Sequence, residues 1–299
     1  MIESRRIGDV LFEGFIYVFI ALFVLFCLLP FWVMVVGSFT DNQTLIREGY
    51  RLWPSEWSIE AYKVALQGQG VLVGYQVSIL VTVVGTLGSV TVMAGLGYVL
   101  SVKRFKARSK LALLIFFTMI FSGGLVPWFV VVRRVLHLKD SIWALIIPPM
   151  VAPFWVFVMR NFFSGLPKEI IESAYIDGAS DARILFEIVL PLSKPVLATV
   201  ALFMAVGYWN DWFHGVMLLD FVDYRPLAVL LMRIIFYSRA LVDAMSTGTG
   251  GVPIDSLKDL PTRTIRLATA CITLGPIVLL YPFAQKYFIK GLTVGAIKG

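Results

Sequence analysis

From Gly14 to Thr40, and again from Val64 to Val102, the chain carries no charged side chain at all. A helix crosses a bilayer with about 20 mostly apolar residues, and both stretches exceed that length. Hydrophobic residues make up 59% of the sequence and charged residues only 15%, against about 25% charged in an ordinary soluble domain. The chain therefore falls in the membrane class. In such a protein the net charge of +7 belongs to short loops and anionic lipid rather than to nucleic acid.

Six regions meet the length requirement, so the expected fold is all-α and polytopic, with six transmembrane helices. They lie near Phe15–Ser38, Gly74–Val102, Leu111–Val132, Ser141–Met159, Pro195 to about Leu219, and Leu267–Gln285. The first follows Arg5 and Arg6 but is too long for the apolar core of a signal peptide, so it reads as an uncleaved span. Small residues at Ser78, Thr82, Gly85, Thr86, Ser89 and Gly95 suit close packing of span two against its neighbours. Pro127, Pro148, Pro149, Pro153 and Pro276 lie within spans and are expected to kink or break them. Cys27 and Cys271 sit in apolar runs and read as packing residues. His137 and His214 show no ligand spacing, and no metal site is expected.

Lys103, Arg104, Lys106, Arg108 and Lys110, with no acid among them, place the turn between spans two and three in the cytoplasm. Residues 1–14, a polar loop at 160–194 and the tail 291–299 then share that side. The connections at about 39–73 and 220–266 are external. Arg133, Arg134 and Lys139 fall outside and run against this assignment. Pro226–Met232 is apolar but too short to cross, and reads as an external amphipathic helix. The run Thr247-Gly248-Thr249-Gly250-Gly251 reads as a loop tip.

The polar loop has its own logic. Pro167 suits a first helical turn, and Ile170, Ile171, Ala174 and Tyr175 form a stripe at helical spacing. Gly178 can end that helix in the left-handed region. Ser180 or Asp181 can cap a second helix, whose apolar face is Ile184, Leu185 and Ile188. Pro191 is expected to stop it, and Pro195 to start span five. Two short helices thus meet at a glycine bend.

Glu172-Ser173-Ala174, then Gly178, then Ile188-x-Leu190-Pro191 resembles the EAA loop of binding-protein-dependent ABC importers. Serine stands at Ser173 where alanine is usual. Ile176-Asp177-Gly178-Ala179-Ser180, Leu190-Pro191-Leu192-Ser193-Lys194-Pro195 and the tail from Lys290 to Gly299 resemble the carbohydrate branch, maltose-type permeases above all. The resemblance covers nearly the whole chain. It implies a type I importer permease fold in a bacterial inner membrane, with both termini cytoplasmic. It also implies that the loop is a pair of coupling helices docking on a cytoplasmic ATPase. Glu172 would give a charged contact, Ala174 a close one and Gly178 the bend, within a set of Glu172, Ser173, Ala174, Asp177, Gly178, Ala179, Ile188, Leu190 and Pro191. The plainer alternative is a helix hairpin that only connects two spans. The implied partners are an ATPase dimer, a second homologous permease, an extracytoplasmic solute-binding protein, an oligosaccharide and membrane lipid. The chain has no phosphate-binding Gly-x4-Gly-Lys-(Ser/Thr) loop, so ATP and magnesium would bind the partner ATPase, and this chain is expected to be no enzyme and to hold no cofactor.

Tyr208-Trp209-Asn210-Asp211-Trp212 is the candidate substrate path. Aromatic faces suit sugar C–H surfaces, and a carboxylate in a span usually faces an interior or water. The alternative is an interfacial aromatic belt, which also accounts for Trp143. Ser122-Gly123-Gly124 marks a break in span three, as hinge or packing. Arg160 can be explained by snorkelling alone. Thr247, Gly248, Thr249, Gly250 and Gly251 are the candidate contact with the binding protein, against an unstructured tip. External Arg47, Arg51, Arg225, Arg233, Arg239, Arg263 and Arg266 match an acidic sugar such as an alginate or pectin fragment, and equally match lipid headgroups or protein docking. The rival functions are an ABC permease for another solute, an ion-coupled secondary transporter and an integral membrane enzyme. The last two predict mid-membrane charges or a catalytic cluster, and neither stands out here.

Overall fold

The computed structural model describes residues 7–67, 69–220, 222–247, 263–276 and 278. These residues are helical apart from their loops and one isolated antiparallel bridge between Thr40 and Trp57. The chain forms two compact units. One comprises Met1–Gly68 and Ile234–Thr273, the other Gln69–Arg233 and Leu274–Gly299.

The first unit is led by α1 (Ile7–Ser38). None of the side chains in its most apolar stretch is buried, so its faces are suited to lipid rather than to a protein core. At its end, Ser38 Oγ lies 2.8 Å from Tyr62 Oη and the Phe39 ring stacks on Tyr62 at 4.7 Å between centroids. These contacts fix α3 (Glu60–Gln67). Between them, α2 (Asn42–Glu48) is capped by Asp41, whose carboxylate accepts from the N–H groups of Gln43 and Thr44. That cap satisfies donors a helix start would otherwise leave open. Cys27 and Cys271 are both free thiols.

The second unit is organised on α4 (Gln69–Ser101), which packs along α8 (Pro153–Ser164) and α12 (Lys194–Trp209). Its core joins Val77, Val81, Met93, Ala94, Val156, Met159, Val196, Val200 and Met204. The expected small-residue face is largely where the packing occurs. Ser78, Thr82 and Ser89 are buried, and Ser78 Oγ accepts the Leu227 N–H at 2.9 Å. A Cβ on Gly85 would lie 2.6 Å from the Tyr208 ring, so the glycine is what lets that ring sit against the helix. Gly95, by contrast, faces open space.

Among the described residues two helices are long and apolar enough to cross a membrane alone, or four if each bent pair is one span. Several expected spans are interrupted. Region three divides into α5 (Arg108–Ile120) and α6 (Leu125–Val130). A π-type turn, Val131–Val135, extends α6, and the two halves meet at 116°. The bend falls at Ser122-Gly123-Gly124, where the sequence marks a break. Region four opens as α7 (Trp143–Ile146) and continues as α8 only after Pro148 and Pro149, with Pro153 in the first turn. A proline there gives up no hydrogen bond. Region five is α12, then α13 (Phe213–Leu218) after a break at Asn210–Trp212. The Pro226–Met232 segment belongs to a longer helix, α14 (Leu227–Thr247), because its apolar residues continue through Ile234, Ile235 and Phe236. Thr247 therefore ends a helix rather than opening a loop, and Gly248–Gly251 lie outside the described residues. A last helix spans 263–276. Most of region six beyond it and the tail 291–299 also lie outside the described residues.

Candidate functional site

The polar loop consists of α9 (Lys168–Ile176) followed, after Gly178, by α10 (Asp181–Arg183) and α11 (Leu190–Leu192). A single π-type turn, Ile184–Val189, makes α10 and α11 continuous. Pro167 is the residue before α9 and makes no side-chain capping bond. Gly178 has φ of +79°, a value an L side chain adopts only with strain. Its N–H donates to the Tyr175 carbonyl, and the Ala179 N–H to the Ala174 carbonyl at 2.9 Å. These bonds close the last turn of α9. Ser180 is the cap of the second helix, its Oγ accepting the Arg183 N–H.

Asp181 does a different job. Its carboxylate accepts from the Tyr175 hydroxyl at 2.7 Å and from the Tyr98 hydroxyl at 3.4 Å, and it pairs with the Arg104 guanidinium. Arg104 also lies over the Tyr175 ring, 4.0 Å from its centroid. One carboxylate thus ties the loop to the end of α4 and to the basic turn after it. The Tyr175 hydrogen bond, and after it Arg104, hold the Asp181 carboxyl below the usual range, while burial raises the Tyr175 phenol. Sequence spacing does not reveal this cluster, because Arg104 and Tyr98 are far from Asp181 in the chain.

Pro191 does not end the helix. The Leu190 N–H donates to Leu185 five residues back, so the wider turn reaches the proline, which lies in the first turn of α11. The helix stops at Ser193, buried at the corner where Asp181–Leu192 meets Lys194–Trp209 at 84°. The loop helix therefore lies across the end of α12 rather than continuing it.

The expected loop residues separate into two faces. Ala174 is buried, and Ala179, Ile188 and Leu190 pack on the core. Glu172, Ser173, Asp177, Gly178 and Pro191 are exposed. So is Ile176, at 86% of its full surface. The sequence reading passed over Ile176 because an isoleucine beside a helical stripe looks like core. Its position between the stripe and the glycine bend is the signal that it faces out.

At the other candidate site the five residues part company. Tyr208 is buried, donates to the Ile146 carbonyl at 2.9 Å and lies 3.0 Å from Ser89 Oγ. Trp209 is buried, its ring 6.4 Å from that of Tyr75. Asn210 is exposed and its amide donates back to Val206. Trp212 is partly exposed and meets Phe213 edge-on. Asp211 accepts the His214 N–H at 3.1 Å and lies 2.6 Å from its ring Nδ1. Asp211, His214 and Tyr208 border a cavity of about 220 Å³ with Pro149, Met204 and Gly207. Trp128 stands edge-on to His214 at 5.2 Å. His214 was missed as a partner of Asp211, although its place three residues on, one helical turn away, was the available signal.

Interrupted apolar helices around a long central one, with a polar helix pair folded across one end, define a helical membrane protein. The chain belongs to the family described as "Binding-protein-dependent transport system inner membrane component", whose model matches residues 2–294. It is 38% identical to the polygalacturonan/rhamnogalacturonan transport system permease YtcP of Bacillus subtilis, over 97% of this chain and 99% of that one. It is also 38% identical to the protein LplC of Bacillus subtilis, over 91% and 90%. A bacterial ABC transporter involved in import of the acidic polysaccharide alginate contains a chain with TM-score 0.78 and 28% identity, covering 95% of this chain and 98% of that one.

Proposed function

We propose that this chain is the permease subunit of an ATP-driven, binding-protein-dependent importer of oligosaccharides, acidic ones in particular. It forms half of the translocation path and pairs with a second homologous permease. It takes its drive from an ATPase dimer, which binds the ATP and magnesium, and receives sugar from an extracytoplasmic binding protein. The basic turn, the polar loop and both termini face the cytoplasm. The acidic substrate class is supported by the polysaccharides for which the similar proteins are named, polygalacturonan, rhamnogalacturonan and alginate. Asp211, Asn210 and Trp212, with the cavity beside His214, are the proposed lining of the path.

The observation that carries the reading is the loop itself. It presents Glu172 and the apolar Ile176 outward from a helix whose other face, through Ala174, is held on the core. An exposed large apolar residue beside a charge, at a fixed bend, suits a docking knob more than a connector. Motion of the ATPase would pass through α10 and α11 into α12 at the Ser193 corner.

The test is ATP hydrolysis by the reconstituted complex, stimulated by binding protein loaded with sugar. Gly178→Pro, which forces φ to about −65°, and Glu172→Lys are each expected to lose stimulation or ATPase association. Stimulation kept in both variants reduces the loop to a connector. Uronate oligosaccharides are expected to stimulate where neutral ones of equal length do not, and equal response to both removes the acidic assignment.

A further inference from the structure

The ends of α4, α5, α8 and α9 enclose a cavity of about 460 Å³. Its wall carries Lys103, Arg104, Arg108, Arg160 and Lys168, with Glu172 as the one carboxylate. Arg104 is engaged by Asp181. Among the described residues the other four cations have no ion pair with a side chain of this protein. Arg108 and Arg160 are half-buried, where an unpaired charge is costly.

Those same two arginines also border a second groove, of about 370 Å³, that runs between α5 and α8. Beyond the arginines that groove is lined by Ala112, Leu113, Phe116 and Phe157. Phe116 lies edge-on to Phe157 at 6.4 Å, and Leu113 and Phe116 remain exposed. From Arg108 to Phe116 is about 12 Å along the helix, much of one leaflet of a hydrocarbon core about 30 Å thick. Cations at the mouth of an apolar groove that runs along a span match an amphiphile with an anionic head. A dissolved anion leaves the groove unused, an acidic peptide has no reason to enter hydrocarbon, and an apolar helix leaves the arginines unpaired.

We propose that Arg108 and Arg160 hold the phosphate of an anionic phospholipid, with one acyl chain along Leu113, Phe116 and Phe157. Guanidinium groups suit this because they bind phosphate bidentately, and basic pockets between membrane helices take such headgroups. The lipid stands behind Glu172 and α9 and so braces the loop from inside. That it comes from the cytoplasmic leaflet rests on the orientation proposed above.

The test is native mass spectrometry of the full chain, co-purified with its partner subunits, in detergent containing phosphatidylglycerol or phosphatidylcholine of matched chains. Retention of one phosphatidylglycerol and no phosphatidylcholine is expected. Arg108→Gln with Arg160→Gln should lower retention at least tenfold, and Arg160→Gln alone several-fold should the double variant not assemble. Lys106→Gln with Lys110→Gln removes the same charge from the same turn outside the cavity and should retain the lipid. Equal loss in that control, displacement by inorganic phosphate at equal concentration, or exclusion of lipid whenever the ATPase is bound would each overturn the proposal. Retention in detergent does not depend on sidedness. Failure of the orientation alone would instead appear as labelling of the basic turn from the external side.

Discussion

At the scale of single residues the clearest lesson is Asp181, which looks like a helix cap and acts as a tie. Ser180 takes the capping bond, which frees the Asp181 carboxylate for Tyr175, Tyr98 and Arg104. The pair is about half exposed, so it has only the modest, salt-screened worth of a surface ion pair. The folded carboxyl titrates below its unfolded value. Its contribution is therefore fully present above the ordinary Asp pKa of about 3.9 and is lost as pH falls through the lower folded value. Asp181→Asn is expected to speed amide exchange across 168–192 at neutral pH by up to about fivefold, while leaving α4 and α12 unchanged. The wild type should then lose protection in acid by a step the variant lacks. Exchange that spreads into α4, or an acid step of equal size in both, would refute the local tie. Gly178 was legible at this scale because a left-handed residue demands glycine. Asp181 was not, because its partners are brought by the fold and not by spacing.

Among elements, α4 and its partners decide the packing, and here the sequence spoke through small residues. Gly85 and Ser89 meet Tyr208, which also reaches the carbonyl of Ile146. One phenol thus joins three helices. Tyr208→Phe keeps the ring but strands the buried Ile146 carbonyl and the Ser89 hydroxyl, at a cost of about 1–3 kcal/mol. Gly85→Ala drives a methyl into the ring and should cost about 1–3 kcal/mol through overpacking. Because the two residues touch, the double variant should depart from additivity by more than about 0.5 kcal/mol. Thermal unfolding of the detergent-solubilised protein reads all three. Additive losses would mean that Gly85 and Tyr208 act on separate parts of the core. Hydropathy located the apolar segments but not their corners. The bends near Gly124 and Ser193 close on local bonds, Gly124 N–H to Ser122 Oγ and Ser193 N–H to the Leu190 carbonyl, while the Ile146 carbonyl before Pro149 is satisfied by Tyr208 of the neighbouring α12. A window of apolar residues records nothing of those neighbours. The wider turn before Pro191 is the same kind of case, since proline alone reads as a stop.

For the whole molecule, sidedness decides whether the polar loop can meet an ATPase. Lys103 to Lys110 place one turn inside, whereas Arg133, Arg134 and Lys139 lie on the side proposed as external and oppose that placement by charge alone. Two of these three cations have partners within the fold. Lys139 is paired with Asp220 at 2.6 Å, and the Asp140 carboxylate accepts the Asp220 N–H. Arg133 lies over the Phe129 ring, 5.9 Å from its centroid. Orientation follows the number of Lys and Arg near a span rather than net charge, and five basic residues within 103–110 outnumber the three within 133–139. With Cys27 and Cys271 replaced by serine, a cysteine at Lys106 should react with an impermeant maleimide only in inside-out vesicles. One at Ser55, on the connection between α2 and α3, should react only in right-side-out vesicles. A cysteine at Glu172 should follow Lys106, because α9 is tied by Asp181 to the same turn. If Lys106 and Glu172 label from outside while Ser55 labels from inside, the bundle is inverted and the loop cannot meet a cytoplasmic ATPase. If Lys106 and Glu172 label from opposite sides, the tie through Asp181 and Arg104 is absent in the membrane.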